Sequence, residues 1–264
     1  MLIENTLQGI VDKEKISIER IRHFEPKEGY SVSFSGGKDS IVMFDLVKKA
    51  EVKFTAHLYL TSVDPKELLM FIKKNYSEVI WHKPLKNMWQ LIEEKGIPPT
   101  RMRRYCCEYL KEGRGWGKKD LEKTVITGVR WAESIKRKKR KLVETCNKFH
   151  LTFFLHPIID WTDEEIWEYI HKYKIPYCNL YDKGFKRIGC IGCPLGSKQI
   201  WELEQFPAIK NAYKEAFRKM LITREKKGME RIKVWGNYTI DEIYNWWVGK
   251  GRKLNDPHQI TWFE

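Results

Sequence analysis

The chain has no run of 18 or more apolar residues, which excludes an ordinary membrane-spanning helix. Its opening residues, with Glu4, Asp12 and Glu14 close in, lack the apolar core of a secretion signal. A soluble, cytoplasmic protein with no membrane partner is the expectation. No internal repeat or low-complexity tract is present. Acidic residues are scarce: 35 Asp and Glu stand against 49 Lys and Arg, for a net charge of +14. Cysteine is scarce too, with six in 264 residues and none after Cys193. In an intracellular chain of this size, so few thiols point to metal or redox chemistry and away from a disulfide scaffold.

What is present alternates. Strand-like apolar runs at 30–34, 54–60, 79–82, 123–127 and 152–158 interleave with helical patterns at 40–50, 65–75, 85–95 and 163–173. This predicts an α/β fold, an open and mostly parallel sheet with helices on both faces (Rossmann-like), followed by an α-helical C-terminal extension. Thr162-Asp163-Glu164-Glu165 and Thr239-Ile240-Asp241-Glu242 are capping boxes that mark two helix starts. The expected division is a nucleotide-binding domain over 1–197 and a helical, aromatic-rich extension over 198–264. In the extension Trp201, Phe206, Trp235, Trp246, Trp247 and Trp262 are read as core and docking residues, with base stacking as the alternative use.

The densest chemical signal is Ser33-Phe34-Ser35-Gly36-Gly37-Lys38-Asp39-Ser40, between a strand and a helix. Gly36 and Gly37 let the backbone turn and approach an anion, and the helix N-terminus favours phosphate. Ser35 and Ser40 add hydroxyl donors, and Lys38 adds a point charge. Gly37→Val is expected to abolish nucleotide binding, because a β-branched side chain resists left-handed backbone angles. Asp39 would repel a phosphate unless it binds Mg²⁺ or caps the helix. The spacing excludes a Walker A loop, since Gly36 and Gly37 are adjacent. An ordinary Gly-Gly turn is the alternative.

Basic charge concentrates between Arg101 and Lys141, where 15 Lys and Arg face 5 Asp and Glu. Its densest part is Lys136-Arg137-Lys138-Lys139-Arg140-Lys141. Two readings are open: a nucleic-acid strand bound with counterion release, or a solvated surface loop. Cysteine pairs stand at Cys106-Cys107 and at Cys190-x-x-Cys193. Four thiolates select Zn²⁺ or an iron–sulfur cluster, and a tandem Cys-Cys is unusual for zinc. Buried structural thiols are the plain alternative. Cys146 and Cys178 lack partners at ligand spacing and are read as core or incidental residues.

The Ser35–Ser40 segment resembles the PP-loop of the adenine nucleotide α-hydrolase superfamily, whose members react at the α-phosphate of ATP or of an adenylyl conjugate. Cys-Cys followed by Cys-x-x-Cys resembles the 4Fe–4S ligand pattern of adenylyl-sulfate reductases. In the same order, Thr61–Leu68, Thr100–Lys111, Gly128-Val129-Arg130-Trp131-Ala132-Glu133-Ser134-Ile135-Lys136-Arg137, Asp160-Trp161-Thr162, Ile175-Pro176-Tyr177 and Leu180–Phe185 are similar to segments of the PAPS reductase-like family.

The resemblance implies a nucleotide site of Ser33, Ser35, Gly36, Gly37, Asp39, Ser40, Asp64, Gly128, Glu133 and Ser134. Asp64 would position Mg²⁺ or ribose, or merely cap the helix opened by Pro65. Lys38, Asp39, Arg130 and Arg137 are the catalytic candidates; for the two arginines, stabilising phosphate charge stands against surface salt bridges. Cys106, Cys107, Cys190 and Cys193 would hold a 4Fe–4S cluster, with zinc as the alternative. ATP with Mg²⁺ is the implied ligand, and adenylyl sulfate is the rival.

Two departures shape the expected activity. The reductases carry a nucleophilic cysteine in a C-terminal segment, and here none follows Cys193. The SGGKDS loop is the form kept by members that split ATP into AMP and pyrophosphate. Both push toward the phosphorothioation-type ATP pyrophosphatase branch, which activates an acceptor for sulfur incorporation into nucleic acid. The 136–141 run would guide the strand, and a sulfur-donor protein would be a partner. The rivals are a sulfonucleotide reductase using an external thiol or Cys178, a non-catalytic Fe–S nucleic-acid-binding module, and adenylyl transfer to a small acceptor as in FAD synthesis.

Overall fold

The computed structural model describes residues 2–6, 9–112, 124–145 and 152–249. In chain order its strands are β1 (Ile3–Thr6), β2 (Gly9–Asp12), β3 (Tyr30–Phe34), β4 (Phe54–Tyr59), β5 (Ile80–His82), β6 (Val125–Ile126), β7 (Val143–Thr145) and β8 (Phe153–Leu155). The helices are α1 (Lys13–His23), α2 (Lys38–Ala50), α3 (Lys66–Asn75), α4 (Met88–Lys95), α5 (Tyr105–Leu110), α6 (Asp163–Lys172), α7 (Gln199–Gln205), α8 (Pro207–Lys226) and α9 (Ile240–Trp247). The described chain falls into two units, one of residues 1–60, 64–85 and 113–189, the other of 61–63, 86–112 and 190–264.

The first unit is built on a six-stranded sheet in the order β5-β4-β3-β6-β8-β7. Five strands run parallel, as the alternating pattern predicts, and β7 pairs antiparallel with β8 at the edge. On β3, Tyr30, Val32 and Phe34 are buried while Ser33 is exposed, the period-two signature of a half-covered strand. On α2 nearly every apolar side chain is buried, from Ile41 through Val47 to Ala50.

From β3 the chain winds outward through β4 and β5, then returns to lay β6 on the other side of β3. The order therefore reverses between β3 and β6. In an open parallel sheet, that reversal opens a crevice at the strand C-termini.

Four elements of this unit leave no clear pattern in the sequence: the antiparallel pair β1 and β2, the helix α1 and the edge strand β7. Of the α1 side chains only Ser17 and Ile21 are fully buried, so its apolar stripe is too thin to register as periodic. Both capping boxes are present, Thr162 with Glu165 opening α6 and Thr239 with Glu242 opening α9.

The second unit is helical. Here α8 packs on α4 and on α9, and Tyr213, Phe217 and Trp247 form an aromatic cluster with ring centroids 4.5–6.2 Å apart. Trp235 and Trp247 are buried, whereas Trp201, Phe206 and Trp246 are half-buried. Trp262 lies outside the described residues, as do Cys146 and Lys123 at the start of the expected 123–127 strand.

Candidate functional site

In the first unit, residues 35–37 leave the C-terminus of β3 and enter α2, whose N-cap is Gly37. The left-handed angle belongs to Gly36, at φ 71°, and a Cβ there would come within 2.6 Å of Ile72 Cδ1. Gly37 sits at φ −76° and ψ 157°, an angle any residue adopts. Its nearest neighbours would be Ser35 Oγ and Tyr181 Oη at 3.5 Å, an ordinary contact. The expectation that Gly37 supplies the left-handed bend is therefore corrected: Gly36 does, because the side chain of Ile72 on α3 packs directly beneath it.

The loop is tied together by small donors. Ser35 Oγ donates to Ser40 Oγ at 3.2 Å, and Ser40 Oγ donates to Gly37 O at 2.9 Å. Tyr181 Oη accepts from the Lys38 amide at 2.7 Å, so a tyrosine hydroxyl occupies the first free N–H of α2. Among the described residues the amides of Asp39 and Ser40 have no partner. Unpaired amides at a helix start attract anions, reinforced by the helix dipole.

Asp39 neither caps α2 nor stands as a bare charge. Its Oδ1 accepts from Arg130 Nε at 2.7 Å, and Lys38 Nζ lies 3.5 Å away. Asp163 completes the set: it accepts from Arg130 Nη2 at 2.5 Å, and Lys38 Nζ lies 3.0 Å from its Oδ1. Arg130 is wholly buried and gives a further hydrogen bond to Trp161 O at 3.1 Å. Two cations thus meet two carboxylates beside the loop, and the repulsion expected between Asp39 and a phosphate is cancelled in place. Although burial opposes it, hydrogen bonds from Lys38 and Arg130 and their charges hold the Asp163 carboxyl below its usual range.

The β6 side of the crevice approaches closely. A Cβ on Gly128 would lie 2.9 Å from Asp39 O, so only glycine lets this loop rest against the first turn of α2. Glu133 accepts from the Arg130 amide at 2.9 Å and pairs with Arg137. Ser134 Oγ accepts from the Arg137 amide at 3.3 Å.

The structure therefore brings Lys38, Asp39 and Arg130 into one network and keeps Gly128 against it. Arg137 is held by Glu133, outside that network. Asp64 precedes Pro65, the N-cap of α3, and is half-buried. Asp163 is the residue the sequence reading passes over, having assigned it to a capping box. The only sequence signal for it is its place directly after Asp160-Trp161-Thr162.

The segment that presents Asp163 is fixed by α1. Arg20 grips Asp160 with two hydrogen bonds of 2.8 and 3.0 Å, and Trp161 Nε1 donates to buried Ser17 Oγ at 3.1 Å. Along 136–141, Arg137 and Arg140 pair with Glu133 and Glu144, whereas the side chains of Lys136, Lys138, Lys139 and Lys141 are exposed and unpaired among the described residues.

All four cysteines expected as ligands lie in the second unit, Cys106 and Cys107 on α5 and the other pair on the turn before α7. Gly192, at φ 72° with Leu203 Cδ2 only 2.7 Å from a would-be Cβ, makes that turn. Tyr213 Oη and the amides around Gly192 anchor it to α8 and α7. The thiols share one electrostatic neighbourhood. A hydrogen bond between them raises Cys106 and lowers Cys107, which Lys111 and Arg104 lower further; burial raises Cys193, and Cys190 adds to that. Among the described residues no three His, Cys, Asp or Glu side chains stand at ligand spacing, so the thiols are gathered without forming a closed cage. Four soft sulfur donors, which lose their protons on binding metal, fit an iron–sulfur cluster in chemistry. Cys178 is 1 % exposed, and burial raises its thiol.

No helix among the described residues is long and apolar enough to cross a membrane. The chain is 30 % identical over 236 residues to the uncharacterized protein MJ0973 of Methanocaldococcus jannaschii, covering 85 % of this chain and 55 % of that one. A second uncharacterized protein of that organism, MJ0066, is 31 % identical over 71 % of this chain and 41 % of its own length. The chain thus spans about half the length of these curated relatives. An adenosine 5'-phosphosulfate reductase of Oceanobacillus iheyensis is 28 % identical, over 62 % of this chain and 70 % of that one. The fold matches the phosphate complex of phosphoadenylyl-sulfate reductase from Candida auris with a TM-score of 0.51 at 17 % identity, over 72 % of this chain and 98 % of that one. The family model of the phosphoadenosine phosphosulfate reductase domain matches residues 29–195, well over half the chain, and the protein belongs to that family.

Proposed function

We propose that the chain is an ATP pyrophosphatase of this family, activating an acceptor for the incorporation of sulfur into nucleic acid. The observation that carries it is the α2 N-terminus at the β3–β6 reversal, with unpaired amides at Asp39 and Ser40 beside a charge-balanced network. The terminal phosphates of ATP take these amides together with the hydroxyls of Ser35 and Ser40. Ser33, exposed at the end of β3, and Asp64, Gly128, Glu133 and Ser134 border the nucleotide. Lys38 turns its charge from the carboxylates to the developing pyrophosphate, while Arg130 stays buried and positions Asp39 and Asp163. Asp163, the exposed carboxylate of the network, would be the hard oxygen ligand for the Mg²⁺ that accompanies ATP, and that ion would supply charge neutralisation to the phosphates.

An acceptor oxygen attacks the α-phosphorus, the bond to the bridging oxygen breaks, and pyrophosphate leaves into the loop. A sulfur nucleophile from a donor protein then displaces AMP from the activated acceptor. Cys106, Cys107, Cys190 and Cys193 would hold a 4Fe–4S cluster that, when bound, supplies redox capacity and a cross-link between α5 and the 190–193 turn. The exposed lysines of 136–141 steer the polyanion.

A second reading, reduction of adenylyl sulfate to sulfite and AMP with an external thiol, is favoured by the match to the Oceanobacillus enzyme. Burial of Cys178 disfavours it as the attacking thiol. One assay separates the two: anaerobically purified protein, reconstituted with iron and sulfide, is given ATP-Mg²⁺ together with single-stranded DNA or RNA as acceptor and followed for pyrophosphate. Release is expected, slowed about 10²-fold or more in Lys38→Ala. Sulfite from adenylyl sulfate with dithiothreitol, and no pyrophosphate from ATP, would establish the reductase instead.

A further inference from the structure

The helical unit contains a cavity of about 1540 Å³ that the chemistry above leaves unused. Its walls are built by the two segments that carry the cysteine pairs, residues 97–103 ahead of Cys106 and the stretch from Pro194 behind Cys193, closed by the end of α8, residues 229–234 and α9. Six cations line it, Arg101, Arg103, Lys198, Arg224, Arg231 and Lys233, against two carboxylates, Glu204 and Glu230. Among the described residues the side chains of Arg103 and Lys233 have no hydrogen-bond or ion-pair partner. Arg224 is 6 % exposed; it donates to Gly96 O at 2.7 Å and to Glu230 O, and its Nε has no acceptor. That Nε is itself fully buried, so Arg224 acts as a fixed positive charge behind the cavity wall that favours an anion in front of it.

Most of the remaining wall is apolar and partly wet, with Thr100, Ser197 and Gln199 as its polar members: Met102 is 67 % exposed, Val234 is 55 % exposed, and Trp201 and Trp246 are half-buried. Lys198 Nζ already lies 4.9 Å over the Trp201 ring, a cation beside a stacking face. An inorganic anion would answer the cations and leave the apolar part of the wall in water. An acidic peptide would do the same, while an acyl chain would leave the cations bare. A strand of nucleic acid answers both, since its phosphates pair with cations and its bases stack on aromatic faces. The volume exceeds the ~300–1,000 Å³ of a typical small-ligand site, which suits several linked nucleotides.

We propose that this cavity binds a short single-stranded stretch of nucleic acid, with phosphates on Arg103 and Lys233 in the field of buried Arg224 and bases against Trp201 and Trp246. This deepens the nucleic-acid reading of the acceptor and rests on it for the substrate class alone, because strand binding is measured without ATP.

The test is fluorescence anisotropy of the full reconstituted chain with fluorescein-labelled single-stranded DNA and RNA dodecamers, at several salt concentrations. Wild-type protein is expected to bind at least one of the two, and Arg103→Glu with Lys233→Glu to weaken it by about tenfold or more with a shallower salt slope. That loss should exceed the loss from Lys138→Glu with Lys139→Glu. Because both cavity residues are exposed and unpaired, the pair should keep its thermal midpoint. Ultraviolet cross-linking of the wild-type complex gives an independent readout and should map to Met102, Trp201 or Trp246. No binding of either strand, equal competition by a polyglutamate peptide, cross-links confined to 131–141, or a larger loss from the Lys138/Lys139 pair would each overturn the proposal. Pyrophosphate release from ATP is followed in the same preparation. Release without strand binding removes this inference alone, whereas strand binding without release removes the ATP pyrophosphatase reading and leaves the cavity assignment standing.

Discussion

Gly36 and Gly37 meet two different needs with the same missing side chain. Gly36 bends left-handed over buried Ile72, whereas Gly37 holds an ordinary angle at which a Cβ would meet its neighbours at ordinary contact distance. Gly36→Ala should therefore cost about 1–3 kcal/mol in urea unfolding and weaken ATP binding, while Gly37→Ala stays within about 0.5 kcal/mol of wild type. Equal losses in both variants would mean that the bend is not where the structure puts it. The sequence placed the loop through its paired glycines, but the sign of φ depends on a packing partner from α3 that no local pattern reveals. Asp39 follows the same logic. Alone it reads as a misplaced negative charge, and its answer, Arg130, arrives 91 residues later. Asp163 was hidden for the opposite reason: Thr162 and Glu165 complete the helix cap by themselves, and so leave the neighbouring carboxylate free for the network.

The short central strand β6 shows how an element of two residues keeps its place. Its successor Thr127 hydrogen-bonds through Oγ1 to Nδ1 of His156, the residue after β8, at 2.7 Å. His156 is wholly buried, with Arg140 and Glu144 beside it and Arg137 farther along the basic run. Burial first, then the positive charge of Arg140, pulls its pKa from the usual 6.5 down to about 4. In the unfolded chain the ring protonates near 6.5, so between that pH and 4 unfolding takes up a proton. Stability from this group is complete above pH 6.5 and is lost as pH falls toward 4, by about 3 kcal/mol at most. Urea unfolding free energies at pH 7, 6 and 5 should fall less steeply in His156→Gln than in wild type. Identical slopes would place the titration elsewhere. Strongly apolar elements such as β3 and α2 were legible from periodicity, whereas β6, β7 and α1 were legible poorly or not at all. Tertiary contacts hold these: the histidine bridge for β6, and for α1 the Arg20 and Ser17 bonds to the Asp160–Trp161 turn.

At the scale of the molecule, the helical unit is assembled from residues 61–63, 86–112 and 190–264. A unit interrupted twice leaves no boundary in composition, so a reading along the chain finds its aromatic tail and misses that α4 and α5 belong with it. What the sequence did mark was the pair of cysteine motifs, and these fall on two of the three pieces. Metal ligands from separate stretches of chain make binding energy into folding energy, because the unfolded state offers no preformed site. If Cys106, Cys107, Cys190 and Cys193 share a cluster, anaerobic chelation of iron from the reconstituted protein should lower its calorimetric midpoint. A shift of about 4–8 °C is expected for each kcal/mol of binding lost, since the unit is small. Amide exchange should quicken first in α5 and in the turn around Gly192, which is then left to its hydrogen bonds with Tyr213, Glu202, Gln199 and the Val63 carbonyl. Cys107→Ser should reproduce both changes without chelator. Midpoint and exchange that ignore chelator and variant alike would show the four half-buried thiols to be structural residues, kept for their volume and not for their sulfur.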